Sequence, residues 1–167
     1  MSAPARARAG RIAMLAGAGS GLLLAAALGF QAAGYAPCEL CVLQRWPHLA
    51  AAILGGVIAL TGWRRGLAVL GLVAALAALG LAVWHTGVEM RLWAGPQHCS
   101  GAVSGLATMA PGDLMAALSR APVVRCDEVA WSLFGISMAG WNAICSAALA
   151  GLWAASLRGR GRVQARG

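Results

Sequence analysis

Long apolar runs dominate the chain and predict membrane-spanning helices. Three of them are long enough to cross the hydrocarbon core of a bilayer, which takes roughly 20 helical residues. They lie near residues 12–32, 67–87 and 131–155. The first follows a basic start and resembles a signal peptide, but its apolar stretch from Met14 to Phe30 exceeds the usual length of about 7 to 15 residues. We therefore expect it to be retained as the first span.

A fourth apolar run is shorter and contains no charge. It extends from Leu49 to Leu60, about a dozen residues, so a helix that crosses the membrane here must begin upstream, near Cys41. The predicted second span is therefore about 41–60, and its first two turns contain Arg45 and His48.

The connections between the runs differ in length. A short connection covers about 33–40 and a long one about 88–130. Within the long one, Pro111–Ser119 has a proline near its start and apolar residues on one side, which predicts either a short helix lying in the membrane interface or an ordinary loop helix. We expect an all-α membrane protein, a four-helix transmembrane bundle with a short first and a long second periplasmic loop.

The composition agrees with this fold class and leaves no room for a separate soluble enzyme. The 167 residues are 60% hydrophobic and 11% charged, with a mean hydropathy of +0.72. Soluble domains contain about 25% charged residues. Because the chain has the length of one domain, 1–167 is expected to be a single integral membrane domain. Any chemistry then belongs to the membrane unit itself.

The positive charges are all arginines, and their positions predict the orientation in the membrane. Arginines without acidic neighbours occupy the N-terminal segment, a short gap between two runs and the C-terminal tail: Arg6, Arg8, Arg11, Arg64, Arg65, Arg158, Arg160, Arg162 and Arg166. By the positive-inside rule both termini and the turn at 61–66 are cytoplasmic. Basic tails that bind nucleic acid are the alternative for a net charge of +8, but the clustering favours membrane orientation and no nucleic-acid partner.

Tryptophans lie near the ends of the predicted spans, as an interfacial belt requires. They are Trp46, Trp63, Trp84, Trp131 and Trp153.

Four of the five cysteines fall on the outer side of the predicted membrane: Cys38, Cys41, Cys99 and Cys126. In a bacterium this side is the oxidising periplasm, where disulfides persist. Cys145 lies within the last span, where a small inert packing residue is expected.

The CxxC at Cys38 and Cys41 has three interpretations. A zinc site would need a closed set of four ligands, which the outer cysteines and His98 could supply, but the second pair lacks the close spacing of a zinc knuckle. Two structural disulfides are a second interpretation, although the very small ring of a CxxC adds little chain-entropy stabilisation. The spacing favours the third, electron transfer through redox-active cysteines.

The CxxC shares one helix face with two basic residues. Positions 38, 41, 45 and 48 fall within roughly an 80° arc at 3.6 residues per turn. Cys41, near a helix N-terminus and one turn from Arg45, has the positive surroundings that favour a thiolate, so it is the expected nucleophile.

Arg45 and His48 are candidate ligand-binding residues. An arginine facing lipid at mid-depth costs on the order of 2.5 to 3.5 kcal/mol, so Arg45 either extends to the headgroups or points at the thiolate or a polar ligand group. Within a membrane, a quinone is the natural two-electron acceptor for a dithiol. His48 either faces that ligand or packs at the interface.

Three segments carry a family resemblance: PCELCVLQR, HTGVEMRLWAGPQHC and VRCDEVAWSLFGISMAGWN. They resemble the disulfide bond formation protein B family (DsbB), bacterial inner-membrane quinone reductases that reoxidise the periplasmic thiol oxidase DsbA. The resemblance covers most of the chain and implies four spans, a lipid bilayer environment and a DsbA-like partner of the thioredoxin fold.

The resemblance also implies roles for individual residues. Cys99 and Cys126 would form the disulfide that the partner attacks, with the mixed disulfide at Cys99, and Cys126 would pass the electrons to the inner pair. Cys41 would contact the quinone as a thiolate, and Arg45 would aid quinone binding. Ubiquinone is favoured over menaquinone. His85 and Glu89 are given no role beyond proximity to the quinone headgroup.

Two other functions are compatible with parts of this pattern. A non-enzymatic four-span scaffold with structural disulfides would need neither Arg45 nor a reducible CxxC. A specialised homologue that serves a dedicated DsbA-like partner would have the same residues as a general enzyme.

Overall fold

The computed structural model of the protein describes residues 1–96 and 125–158. Over these ranges the chain forms four long helices and one small antiparallel hairpin. The helices are α1 (Ala3–Ala32), α2 (Glu39–Thr61), α3 (Arg65–Glu89) and α4 (Met138–Leu157), and the strands are β1 (Ser132–Leu133) and β2 (Ile136–Ser137). The predicted helix at Pro111–Ser119 lies outside the described residues, as do His98 and Cys99.

The four helices form a bundle in which each helix packs against two neighbours. α2 lies against α1 and α3, while α4 closes the arrangement against α3 and α1. All four helices are long and apolar enough to cross a membrane. The prediction of an all-α membrane protein with four helices is therefore confirmed.

The first and last helices differ from the apolar runs that predicted them. α1 begins at Ala3, well before the apolar run near 12–32, with a proline in its first turn. α4 begins at Met138 rather than near residue 131, because the preceding residues form the hairpin, in which Ser132 pairs with Ser137. The Ser137 side chain accepts a hydrogen bond from Gly140 N and caps the helix, so β2 ends where α4 begins.

Close backbone contact joins α1 to α2. A Cβ atom added at Gly17 would lie 2.6 Å from Gly55 Cα, and one added at Gly55 would lie 2.7 Å from Gly17 Cα. Gly17 belongs to a GxxxG pair, and small residues of this kind let helices in a membrane approach closely. Any side chain at Gly17 or Gly55 would push the two helices apart.

Trp153 is a core residue and not part of an interfacial belt. It is fully buried and its ring fills the space beside Gly71, where an added Cβ would lie 2.5 Å from the nearest ring carbon. The other buried members of its cluster are alanines and Ile58. Trp46, by contrast, is 66% exposed, as a side chain in the membrane interface would be.

Candidate functional site

The CxxC forms the first turn of α2. Cys38 is the N-cap residue, and its sulfur accepts a hydrogen bond of 3.3 Å from Cys41 N. The Cys38 thiol in turn donates to Cys41 Sγ at 3.1 Å. The fold therefore holds the two thiols in contact through a helix cap, and Cys41 Sγ is the acceptor of the pair.

The two cysteines have different surroundings. Cys38 is only 5% exposed, whereas Cys41 is partly exposed. The hydrogen bond to Cys41, with burial as the second cause, raises the pKa of the Cys38 thiol. These surroundings favour the protonated form of Cys38, whose thiol donates to Cys41 Sγ. Cys41 stays the expected nucleophile.

A cavity of about 330 Å³ opens beside Cys41. Its wall is mostly apolar and comes from α1, α2, α4 and the segment before α4, including Leu23, Phe30, Trp131 and Met138. Its polar lining residues are Cys41, Gln44, Arg45, His48, His85 and Asn142. Cys41, Arg45 and His48, which the sequence predicted to share one helix face, therefore all line one apolar cavity.

Arg45 lies along this cavity with part of its guanidinium unpartnered. Arg45 Nη1 donates to Gln31 Oε1 of α1 at 2.7 Å. Arg45 Nε is buried and has no hydrogen-bond partner among the described residues. A buried donor without a partner is costly, and a ligand oxygen in the cavity would satisfy it.

His48 is buried rather than simply interfacial. It is 5% exposed, and its Nε2 donates to Asn142 Oδ1 of α4 at 2.9 Å. The imidazole ring of His48 therefore lines the cavity, but its Nε2 hydrogen bond is already made to Asn142.

Two amide side chains of the site, Gln44 and Asn142, were not predicted from the sequence, and His85 was given no role beyond proximity to the quinone. Gln44 Nε2 lies 2.9 Å from His85 Nδ1, and Asn142 Nδ2 donates to Gln44 Oε1 at 2.6 Å. His85 Nε2 lies 3.5 Å from Cys38 Sγ. A signal was available, because polar side chains within apolar spans usually face the bundle interior and pair with one another.

Cys126 lies next to the CxxC although it is distant in sequence. It is 2% exposed and packs in one cluster with Cys38, Leu40 and Val88. The neighbouring Asp127 accepts from Arg125 at 2.6 Å, and this contact lowers the pKa of the Asp127 carboxyl. The structure thus brings together three of the four outer cysteines, while Cys99 is outside the described residues.

Cys145 lies within α4, the last span, where it was expected. It is partly buried and lines the cavity from α4.

Cys38, Cys41 and His85 also form the kind of cluster that holds metal ions. Their candidate ligand atoms all lie within 4.8 Å of one another. A structural zinc site takes four ligands, and within the described part of the chain this cluster supplies three. His98, one of the ligands considered for such a site, lies outside that part.

Comparison with known proteins agrees with this arrangement. The family model described as disulfide bond formation protein DsbB matches residues 9–156. Disulfide bond formation protein B of Polaromonas naphthalenivorans (strain CJ2) is 31% identical over 160 residues, 90% of this chain and 91% of the relative. Disulfide bond formation protein B 2 of Pseudomonas syringae pv. syringae (strain B728a) is 35% identical over 133 residues, 72% of this chain and 71% of the relative. No solved structure matches. The chain belongs to the DsbB family of multi-pass membrane proteins of disulfide bond formation.

Proposed function

We propose that the protein is a thiol:quinone oxidoreductase that reoxidises a periplasmic DsbA-like dithiol protein and passes the electrons to a membrane quinone. The observation that carries the proposal is the position of Cys41, whose sulfur meets its CxxC partner and also borders an apolar cavity within the bundle. A scaffold with structural disulfides would not need a cavity at its cysteine.

The cavity suits a quinone headgroup. Small-molecule sites usually enclose about 300 to 1,000 Å³, have apolar walls and contain a few polar groups that fix orientation. The cavity of about 330 Å³ lies at the lower end of that range and carries the unpartnered Arg45 Nε. A ring carbonyl oxygen would accept from Arg45, while the isoprenoid tail would follow the apolar wall formed by α1. Ubiquinone is the favoured species.

The cysteines provide the route for two electrons. A reduced partner dithiol attacks the proposed Cys99–Cys126 disulfide at Cys99, and the partner's second thiolate then releases Cys99, which leaves the partner oxidised and Cys99 and Cys126 as thiols. Cys126 attacks the Cys38–Cys41 disulfide, Cys99 resolves the resulting mixed disulfide, and the electrons then reside on Cys38 and Cys41. The packing of Cys126 in the same buried cluster as Cys38 supports this transfer.

A bound quinone would be the final acceptor, and its reduction takes two electrons and two protons. The dithiol of Cys38 and Cys41 releases the same two electrons and two protons when its disulfide re-forms, so the reaction balances. Cys41 would pass the electrons to the quinone, because its sulfur borders the cavity. The buried Cys38 then re-forms the disulfide with Cys41. Arg45 orients the acceptor.

Redox potentials explain why such an acceptor is required. If the partner has a potential near about −120 mV and the CxxC one near about −270 mV, as DsbA and thioredoxin do, oxidation of the partner is opposed by roughly 7 kcal/mol. Either Cys38 and Cys41 are unusually oxidising or the quinone draws the reaction forward, and contact of the quinone with Cys41 serves both.

The test is anaerobic mixing of the oxidised protein with a reduced DsbA-like protein and a soluble quinone, followed by quinone absorbance. We expect stoichiometric quinone reduction in the natural protein and none in Cys41→Ser. Arg45→Ala should weaken quinone affinity about tenfold, the loss expected for one hydrogen bond to a charged group.

Arg64→Ala is the matched control, because Arg64 is an exposed arginine in the turn between α2 and α3, at the end of α2 opposite to the CxxC. It should leave quinone affinity unchanged. Quinone that stays oxidised while the disulfides of the natural protein remain intact would reject the proposal and favour the scaffold.

A further inference from the structure

We infer that Gln44 and Asn142 are positioning residues: they hold His85 in the tautomer that carries its proton on Nε2 and thereby direct a series of hydrogen-bond donors at Cys41 Sγ. The inference rests on the proposed function, in which Cys41 must carry negative charge. It concerns how the protein stabilises that charge before any quinone or partner is bound.

One backbone carbonyl sets the direction of the series. Gln44 Nε2 lies 2.9 Å from Leu40 O, which can only accept a hydrogen bond. The nitrogen of the Gln44 amide must therefore be the end that faces Leu40. The same nitrogen has a second hydrogen, which points at His85 Nδ1 at 2.9 Å.

His85 must then accept on Nδ1, so a neutral ring carries its proton on Nε2. The groups that face Nε2 agree with this assignment. Cys38 Sγ lies 3.5 Å away and Glu89 Oε1 4.0 Å away, and both can accept a hydrogen bond.

The other end of the Gln44 amide extends the series to α4. Gln44 Oε1 accepts from Asn142 Nδ2 at 2.6 Å, so the oxygen of the Asn142 amide is left to accept from His48 Nε2 at 2.9 Å. Each amide orientation is thus forced by the preceding one, beginning at Leu40 O.

All donors in the series point the same way. Hydrogen bonds run from His48 to Asn142, to Gln44, to His85, to Cys38 and finally to Cys41 Sγ. Aligned hydrogen bonds polarise one another and are stronger in a medium of low dielectric constant. The series therefore stabilises a thiolate at Cys41 with side chains from α2, α3 and α4.

The same tautomer disfavours a metal at the cluster of Cys38, Cys41 and His85. A histidine ligand binds metal through an unprotonated nitrogen. The nitrogen that faces both sulfurs is Nε2, and the Gln44 amide keeps its proton there.

The sharpest test is Gln44→Glu, which preserves size but replaces the amide donor with a carboxyl oxygen. His85 should then carry its proton on Nδ1 and accept from the Cys38 thiol at Nε2. Cys41 would lose the donor from Cys38, and negative charge would shift towards Cys38. Gln44→Met keeps the volume and removes both polar ends, so it should abolish the tautomer preference without reversing it.

Two measurements on reduced, quinone-free protein in detergent report the result. Nitrogen-15 NMR of labelled histidine identifies the tautomer of His85, with signals assigned by replacing each of the three histidines in turn. Iodoacetamide alkylation followed by mass spectrometry gives the rates at Cys41 and Cys38, because only the thiolate reacts. Other charged or titratable groups around the dithiol are Arg45 on α2, Glu89 on α3, and Tyr35, Cys126 and Cys145, and they are unchanged in every variant.

We expect the Nε2–H tautomer in the natural protein, the Nδ1–H tautomer in Gln44→Glu and an alkylation rate at Cys41 about tenfold lower in that variant. Asn142→Leu should lower the rate by less, since His85 keeps its donor from Gln44. Thr86→Val is the matched control, because Thr86 adjoins His85 and, within the part of the chain that the structure describes, its hydroxyl bonds only to Ala82 O at 2.9 Å.

An Nδ1–H signal from His85 in the natural protein, or a tautomer and alkylation rate that Gln44→Glu leaves unchanged, would overturn the inference. Because neither measurement involves a quinone or a partner, failure here is distinct from failure of the proposed function.

Discussion

At the scale of the residue, the two cysteines of the CxxC are unequal because the helix start treats them differently. Cys38 occupies the N-cap position and is buried, while Cys41 is one turn into the helix and borders the cavity. The hydrogen bond between the sulfurs then assigns the proton to Cys38. The chemistry of the pair follows from where α2 begins.

The raised pKa of Cys38 predicts an unusual pH profile for its alkylation. A thiol with a raised pKa has less thiolate at every pH, so its reaction with iodoacetamide should rise only well above the ordinary range near about pH 8.5. Mass spectrometry of reduced protein, alkylated between pH 7 and pH 10, measures this profile.

The midpoint of that profile, and not its amplitude, is the informative quantity, because burial alone slows reagent access at every pH. In protein unfolded with detergent, Cys38 should titrate in the ordinary range. A midpoint near about pH 8.5 in the folded protein would contradict the assignment of the proton to Cys38.

The sequence predicted part of this site well. A helical period placed Cys38, Cys41, Arg45 and His48 on one face; three of them belong to α2 and Cys38 is its N-cap residue. It could not predict that Asn142, almost a hundred positions away, completes the polar lining, because that contact depends on how α4 packs beside α2. Periodicity reports which residues share a face but not which helix that face meets.

At the scale of the element, most of the buried residues at the helix contacts are small, chiefly alanine and glycine. Lipid tails are as apolar as leucine, so close packing replaces the hydrophobic effect as the source of helix association in a membrane. The contact of Gly17 with Gly55 joins two backbones directly, and the buried residues around Trp153 are largely alanine.

Adjacent glycines of α2 allow a direct test of this packing. Gly55→Ala should destabilise the bundle by about 1 to 3 kcal/mol, because its methyl group would overlap the backbone of α1. Gly56→Ala should be neutral or slightly stabilising, since an added Cβ there meets none of the described residues within 4 Å and alanine favours the helix. Thermal unfolding in detergent compares the two.

Equal melting temperatures for Gly55→Ala and Gly56→Ala would mean that α1 and α2 can separate at little cost. A selective loss of stability in Gly55→Ala would locate the tight contact between the first two helices.

Element boundaries were less predictable than element number. Hydropathy identified four helices because crossing a membrane requires long apolar segments. It could not separate the hairpin at residues 132–137 from α4, because Leu133, Phe134 and Ile136 are as apolar as the helix that follows. Trp153 was wrongly predicted to lie at the membrane interface for a similar reason. A position near the end of a helix does not show whether a side chain faces lipid or the core of the bundle.

At the scale of the whole molecule, the distribution of arginines supports an orientation with both termini in the cytoplasm. The CxxC and Cys126 lie at the opposite end of the bundle from the turn that contains Arg64 and Arg65. In that orientation the cysteines would face the periplasm, as the proposed reaction with a DsbA-like partner requires.

Labelling of introduced cysteines tests this orientation. In a background where the natural cysteines are replaced by serine, Val129→Cys should react with a membrane-impermeant maleimide in intact spheroplasts. Thr61→Cys should react only after the membrane is permeabilised, because Thr61 is the last residue of α2 and the CxxC lies at the start of that helix. Both positions are exposed, so accessibility within the fold does not distinguish them. The reverse pattern of labelling would invert the topology.

The contact between Ser137 and Glu89 has a consequence for how this protein could diversify. The Ser137 hydroxyl donates to Glu89 Oε2 at the end of α3 and also caps α4, so both ends of the connection between these helices are tied to each other. Closing a connection costs only about 0.6 kcal/mol more for each doubling of its length. Evolution can therefore lengthen or rewrite the segment proposed to meet partners while the bundle and its cavity are inherited intact.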